Sequence, residues 1–421
     1  MEILYVSSVP SPKEFLRIKN QVRPKAELTP YGMNESGYKF HTLIINGLRM
    51  HADVHIKALV GRAVNLKTHK GLFWKRRKES ISSNLTYNHL AFVNLPIIKH
   101  FILGASFFLH TFFWQFKNRK KEKGIILDAS YITANPFIIS ACKFFHCTTT
   151  AIFCDIYEYM ANVQNVHKDN NSSFSINFAR HIARKTYQNI DTYIFLTQQM
   201  NNLINIDHKP YIIMEGLVDI EMMRQNISLE QKLTKQIVMY AGALRKEYGL
   251  ENLLKGFIAY SNPNAELWIF GDGDYKTKIA HFCNQDSRIY FGGAISLQEI
   301  IKKELIVTLL VNPRPSNQEF TQYSFPSKNM EYMVSGTPLL TTCLPGMPKE
   351  YYKYVYTIDG SNVQDITRAL KDALEKTQIE LYEFGQNARS YVLKNKNNKL
   401  QAGRILKLLK NEEEFNENTS F

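Results

Sequence analysis

Cysteine is scarce in this chain of 421 residues: the five present (Cys142, Cys147, Cys154, Cys283 and Cys343) form no Cys-x-x-Cys pair. That excludes a disulfide scaffold and a zinc ribbon, and it fits reduced, structurally buried thiols in a cytoplasmic protein. Long apolar runs are missing too. The most apolar stretch, Leu95 to Phe116, is interrupted by Lys99, His100 and His110, so a bilayer-spanning helix is not expected there. The first ten residues, Met1 to Pro10, have too short an apolar run and no basic leader, and read as a first strand rather than a signal peptide. Acidic residues are the minority charge, 38 against 52 Lys and Arg, for a net charge of +14. An acidic partner follows, and nucleotide diphosphates, anionic lipid surfaces and nucleic acid all qualify. The aromatic residues lie mostly in apolar runs and do not alternate with Lys and Arg, which argues against a nucleic-acid stacking groove.

Several chemical signatures are also lacking. No Gly-x-Ser-x-Gly, no Walker loop and no Gly-x-Gly-x-x-Gly after the first strand is present, which disfavours hydrolase, P-loop and dinucleotide-binding classes. His51 and His55 have the spacing of a zincin pair but lack its Glu and run into a strand pattern. Asp272 and Asp274 imitate a metal-binding Asp-x-Asp, yet they sit in Gly271-Asp272-Gly273-Asp274 directly after a strand, where turn chemistry explains them. No metal cofactor is expected.

The chain is long enough for two domains, and 44% hydrophobic residues can supply a core in each. Short apolar runs alternate with segments of helical period: 54–60, 124–127, 149–153 and 192–196 in the first half, then 237–241, 266–270, 288–291, 306–311, 339–342 and 354–358. This pattern predicts parallel sheets covered by helices. Asn34 to Leu48 carries a helical apolar pattern after a polar loop, Pro24 to Gly32, that is placed to wall an acceptor site. The Phe-rich stretch from Leu95 to Phe116 reads as a buried or half-buried helix. Its basic sequel, 117–123, leaves contact with an anionic membrane surface open. The expected domains are 1–215 and 216–395, followed by a closing helix and polar tail over 396–421.

Ser324 to Pro338 holds the strongest functional signal. Pro326 and Ser327 open a helix whose first N–H groups and positive dipole end suit a phosphate, and Lys328 adds a full charge. Glu331 lies one turn further on, where a carboxylate can accept hydrogen bonds from two ribose hydroxyls. Ser335-Gly336-Thr337-Pro338 ends the helix. Ordinary helix-capping by Ser327 is the competing explanation.

Together with Val238 to Arg245, Leu267 to Asp274 and Arg288 to Gly292, this segment resembles the nucleotide-binding half of the retaining GT-B glycosyltransferases called glycosyltransferase family 4, or group 1. The Phe325-Pro326-Ser327-Lys328 form is similar to members that build bacterial capsular and exopolysaccharides. The resemblance implies an α/β GT-B fold, two Rossmann-like domains with parallel sheets facing across a cleft. It implies a nucleotide-diphosphate sugar as donor, a glycan or lipid-linked oligosaccharide as acceptor, retention of configuration and no metal. The implied site comprises Lys328, Asp155 and Glu319 as catalytic groups, with Gly242, Arg245, Arg314, Tyr323, Ser327, Asn329 and Glu331 binding substrate.

The chain departs from the family in places. Ala243 and Tyr248 stand where the family offers Arg and Lys, leaving Arg245, Lys328 and Arg314 to neutralise a diphosphate. Tyr323 occupies the first position of the family's Glu-x7-Glu, so either Glu319 or Tyr323 takes over contacts to the donor sugar. Cys154 replaces the usual His before Asp155, and Asp155 is either a hydroxyl ligand or a turn residue. Glu215 to Asp219 reads as structural. Two rival readings remain: a non-catalytic basic subunit bound to a membrane, and a nucleotide-sugar epimerase, for which no carboxylate pair is evident. The expected location is the cytoplasm, with the inner face of the membrane as an alternative.

Overall fold

A computed structural model describes residues 1–23, 35–156, 173–224 and 226–412. The loop proposed as an acceptor wall, 24–32, and most of the polar tail lie outside these. The chain divides into two compact units, Met1–Met214 with the segment from Asn398 onward, and Glu215–Asn397.

The first unit contains strands β1 (Glu2–Ser7), β2 (His55–Val60), β3 (Phe73–Trp74), β4 (Arg77–Ser82), β5 (Leu85–His89), β6 (Phe92–Val93), β7 (Lys123–Asp128), β8 (Thr148–Phe153), β9 (Thr192–Phe195) and β10 (Tyr211–Ile213). Eight of them form one sheet in the order β10-β9-β8-β7-β1-β2-β5-β4. All neighbours are parallel except β4, which folds back on β5. Ile3, Leu4 and Tyr5 in β1 are buried completely, as expected for a central strand covered on both faces. The β4 edge is polar and exposed, which blunts it against further pairing.

Helices of this unit are α1 (Pro12–Lys19), α2 (Glu35–Arg49), α3 (Pro96–Lys117), α4 (Asn135–Cys142), α5 (Ser173–Gln188) and α6 (Gln198–Ile204). Helix α3 buries Leu103, Phe107, Thr111 and Trp114. It packs closely on α4 because Gly104 leaves room for a ring: a Cβ there would lie 2.4 Å from Cε2 of Phe137.

The second unit has strands β11 (Gln236–Ala241), β12 (Ala265–Phe270), β13 (Ile289–Gly293), β14 (Leu309–Asn312), β15 (Leu339–Thr342) and β16 (Tyr356–Ile358). They form a wholly parallel sheet ordered β13-β12-β11-β14-β15-β16, the 3-2-1-4-5-6 order of a doubly wound nucleotide-binding fold. Its helices are α7 (Leu250–Ala259), α8 (Lys276–Gln285), α9 (Leu297–Ile306), α10 (Ser327–Ser335), α11 (Val363–Leu374) and α12 (Gln378–Asn395). Side chains alternate across the sheet. Val238, Tyr240, Leu267 and Ile269 meet α7 and α11 on one face. Ile237, Met239 and Leu310 meet α10 and α12 on the other.

Entry to and exit from this unit are tied together. Lys396 Nζ lies 2.6 Å from buried Glu215, and the Val218 N–H donates to the Lys396 carbonyl at 2.9 Å. Glu215 thus has a structural role. The last helix, α13 (Asn398–Lys410), then joins the first unit against α2, where a Cβ on Gly47 would lie 2.1 Å from the Asn398 carbonyl oxygen.

Candidate functional site

In an open parallel sheet a ligand crevice forms beyond the carboxyl ends of the strands where their order reverses. In the second unit that point lies between β11 and β14. Gly242 follows β11, and its N–H donates to the Phe270 carbonyl at 2.9 Å. Leu244 N–H reaches the Asp272 carbonyl at 2.9 Å, and Tyr275 N–H reaches the Leu244 carbonyl at 3.0 Å. The two loops lie backbone against backbone, and glycine is what permits it. A Cβ at Gly271, whose φ is +137°, would sit 1.8 Å from the Gly242 carbonyl oxygen. Asp272 accepts from the Gly273 N–H at 2.9 Å and from Lys276 Nζ at 3.2 Å. The Gly273 hydrogen bond leads the interactions that lower its pKa, with Lys276 next.

Helix α10 begins on the other side of the crevice. Pro326 is its N-cap residue and no side chain caps it. The Lys328 side chain lies across Gly242, where an added Cβ would come within 2.1 Å of Cε and 2.7 Å of Nζ. Tyr332, one turn after Lys328 on the same face, fixes that placement. Its hydroxyl donates to the Ala241 carbonyl at 3.0 Å and accepts from the Ala241 N–H at 2.9 Å. Sequence reasoning missed Tyr332, because a tyrosine on an apolar helix face reads as core.

Asn329 points away from the helix surface. It has no exposed surface, and its Oδ1 accepts from Asn312 Nδ2 at 2.7 Å. Its backbone N–H is committed to the Pro326 carbonyl at 2.9 Å, so the donors at the helix start are those of residues 327 and 328. Facing inward, Asn329 joins α10 to the end of β14.

Arg314, on the loop after β14, lies with its guanidinium 4.6 Å from the Tyr248 ring centroid and 5.3 Å from that of Phe320. Gly249, at φ +79°, brings the Tyr248 turn onto this loop, since a Cβ there would lie 2.1 Å from the Pro313 carbonyl oxygen. The tyrosine in place of a lysine therefore carries a cation brought from elsewhere. Glu319 is exposed at the start of a short turn over Glu319–Tyr323, and Tyr323 is half-buried at its end. Ser327 and Glu331 are half-buried on α10, and Arg245 is exposed just before a turn at Lys246–Tyr248.

Asp155 belongs to the first unit, exposed in the bend after β8. The residue before it takes part in a cluster that sequence reasoning did not assemble. Cys154 Sγ is 3.8 Å from Nε2 of His41 on α2, whose Nδ1 is hydrogen-bonded to the Tyr5 hydroxyl at 2.6 Å. Asp128, at the end of β7, lies 3.7 Å from the same Nε2 and accepts from the Ser130 N–H and hydroxyl at 2.9 and 2.6 Å. Burial lowers the His41 pKa against the pull of Asp128, and burial followed by Asp128 and Asp155 raises that of the Cys154 thiol. Both groups are held neutral, so the thiol is not activated as a nucleophile. A histidine thus stands beside Cys154 at the carboxyl ends of β7 and β8. It arrives from α2, where it passes as one more residue of an apolar face.

A cavity of about 450 Å³ in the first unit, lined by Cys142, His146, Cys147, Thr149 and Asp191, opens at the amino ends of β8 and β9. That is the wrong end of the sheet for such a crevice.

Residues 223–391 match the model of the family described as glycosyl transferases group 1. The matched residues lie within the second unit. No curated protein matches the chain. Among solved structures, sucrose-phosphate synthase from Thermosynechococcus elongatus is similar at 14% identity and TM-score 0.65, covering 98% of this chain and 99% of that one. The apo form of the lipopolysaccharide outer core galactosyltransferase WaaB is similar at 12% identity and TM-score 0.60, with 98% and 99% covered. Anabaena HepE in complex with UDP is similar at 12% identity and TM-score 0.59, with 98% and 100% covered. These likenesses give the GT-B fold, and with the family match they support a glycosyltransferase.

Proposed function

We propose that the protein transfers a sugar from a nucleotide-diphosphate sugar to a glycan or lipid-linked acceptor with retention of configuration, in the assembly of a surface polysaccharide. The observation that carries the donor half is the Lys328 ammonium lying across Gly242, at the uncapped start of α10 and at the strand-order reversal. A diphosphate in that crevice meets two backbone N–H groups and the Lys328 charge, and the Arg314 guanidinium supplies a further cation from the loop after β14. Glu331 then anchors the ribose, and Glu319 or Tyr323 contacts the sugar.

Charge builds on the leaving diphosphate in the transition state, and fixed donors already aimed at it lower the barrier by about 3 kcal/mol each. The acceptor approaches the face the nucleotide leaves, and the departing diphosphate takes its proton, so no strongly tuned enzyme base is required. Donor use is proposed to be metal-independent, with Lys328 and Arg314 supplying the positive charge that offsets the diphosphate. WaaB and UDP-bound HepE, with the same fold, favour a uridine nucleotide and a cell-surface glycan.

The test is thermal stabilisation by UDP-, GDP-, ADP-, TDP- and CMP-sugars and their free nucleotides, without metal, on the wild type, Lys328→Ala and Glu331→Ala. One nucleotide should stabilise the wild type and fail on both variants. Absence of any shift would abandon the donor reading in favour of a non-catalytic subunit. With the donor identified, NMR of the product's anomeric centre decides retention.

A further inference from the structure

Helix α3 carries a feature that the donor crevice does not use. Its buried face is accounted for by the first unit's core, yet the opposite face is apolar along the whole helix. Ile98, Phe101, Leu109, Phe113 and Phe116 recur at helical spacing, and Phe101, Phe113 and Phe116 are 67%, 62% and 51% exposed. Phe144, 63% exposed just after α4, extends the stripe sideways, its ring 6.2 Å from Phe108 and 5.5 Å from Phe112. With 22 residues the helix presents this row over about 33 Å. A row of large exposed aromatics of that length marks a surface made to be covered.

The charges around it identify the cover. Lys117, Arg119 and Lys120 crowd the carboxyl end of α3, and Lys143 lies exposed beside Phe144. Arg119 stacks 4.6 Å from the Phe116 ring centroid, keeping its charge at the edge of the stripe. On the strand side, Lys57 titrates low, through burial first and then the repulsion of Arg76, Lys117 and Lys78, so these cations crowd one another. The segment Pro96–Lys117 contains no Asp or Glu at all. In two copies of the chain laid stripe to stripe, neither α3 would offer these cations a counter-charge. Among the described residues no helix is long and apolar enough to cross a membrane. An aromatic face bordered by Lys and Arg has the composition of a helix lying in the plane of a bilayer interface.

We infer that the outer face of α3, with Phe144, docks the first unit on an anionic lipid bilayer, the aromatic rings entering the headgroup–acyl boundary and the flanking Lys and Arg pairing with lipid phosphates. The inference is independent of the donor reading, since it uses none of the crevice residues.

Flotation of the full chain with phosphatidylcholine vesicles, with and without phosphatidylglycerol, tests it. The protein should float with the anionic vesicles and lose that binding as salt rises. The doubly substituted Phe101→Ser, Phe113→Ser chain should partition about tenfold or more weakly. Lys117→Gln and Lys120→Gln should each weaken it about fivefold. Because the altered side chains are exposed, the melting temperature should hold, and Phe113→Trp supplies a readout that keeps an aromatic: its emission should shift to the blue when anionic vesicles are added. Failure to float, flotation indifferent to the serine substitutions, or a dimer in sedimentation that those substitutions dissociate would each overturn the inference, the last by making a second copy the cover. Nucleotide stabilisation of the doubly substituted chain, equal to wild type, separates loss of lipid binding from any failure of the donor reading.

Discussion

Lys328 and Gly242 meet because one lacks a side chain and the other has a long one, which makes Gly242→Ala an incisive substitution. The added methyl collides with the far end of a flexible lysine, so the side chain moves and the backbone does not. Sugar transfer is expected to fall at least about tenfold, the loss of an oriented charge, with the melting temperature nearly unchanged. Gly271→Ala should behave in the opposite way. There the methyl meets a carbonyl oxygen, at a backbone φ of +137° that L-residues avoid, and unfolding free energy should drop by about 3 kcal/mol or more. Chemical denaturation and a transfer assay on the pair check both; equal effects on activity and stability in both variants would contradict the assignment.

At this scale the sequence was legible for placement at fixed spacing from a helix start, as for Lys328, or for glycine after a strand, as for Gly242. It was illegible where rotation about a helix decides the outcome. Asn329 is next to Lys328 in the chain yet faces the interior, and His41 reaches a strand end from a distant helix.

Among the elements, α10 owes its position to one side chain. Tyr332→Phe keeps the ring and removes both hydrogen bonds to Ala241, leaving a buried N–H and carbonyl at the end of β11 without that partner. A loss of about 2 kcal/mol in unfolding free energy is expected, from urea titration. Because the Lys328 placement depends on the same helix, turnover should fall more than nucleotide affinity; a fall in affinity alone would place the effect in the ground state.

Strands β11 and β14 of the second unit could be read from the sequence because each is an apolar run, buried along almost its whole length, that stops at Gly242 or at Asn312-Pro313. Strands β3 to β6 escaped notice. β3 and β6 are each two residues long, and the polar, exposed β4 has none of the apolar alternation that reveals a half-buried strand.

For the molecule as a whole, acid should act first on the first unit. His89 is wholly buried, its Nε2 accepting the Ser11 N–H at 3.1 Å, and its pKa is pushed down to about 4 by burial and then by Arg62, against the opposing pull of Glu14, the Arg77 backbone and Glu79. Unfolded, the same imidazole takes a proton near about pH 6.5. Between those values the unfolded chain binds more protons than the folded one, so stability declines as pH falls and levels off below the folded pKa. The His89 share is about 3 kcal/mol. His41, His69, His100 and His110 shift in the same direction, so the slope is shared. His89→Gln, which keeps an acceptor for Ser11, should flatten part of the decline between about pH 6.5 and about pH 4.5 in urea midpoints. An unaltered slope would show that His89 does not titrate as proposed.

The closing helix α13 gives the chain a birth order. Ala402, Ile405, Leu408 and Leu409 are buried with the first unit although they are made after the entire second one. During synthesis Glu215–Asn397 emerges as an uninterrupted stretch able to fold as soon as it clears the ribosome, whereas the first unit must wait with its α2 groove uncovered until the last helix is released. The half of the protein that is translated first is therefore finished last, and any stall late in translation would leave that groove open to whatever binds exposed apolar surface.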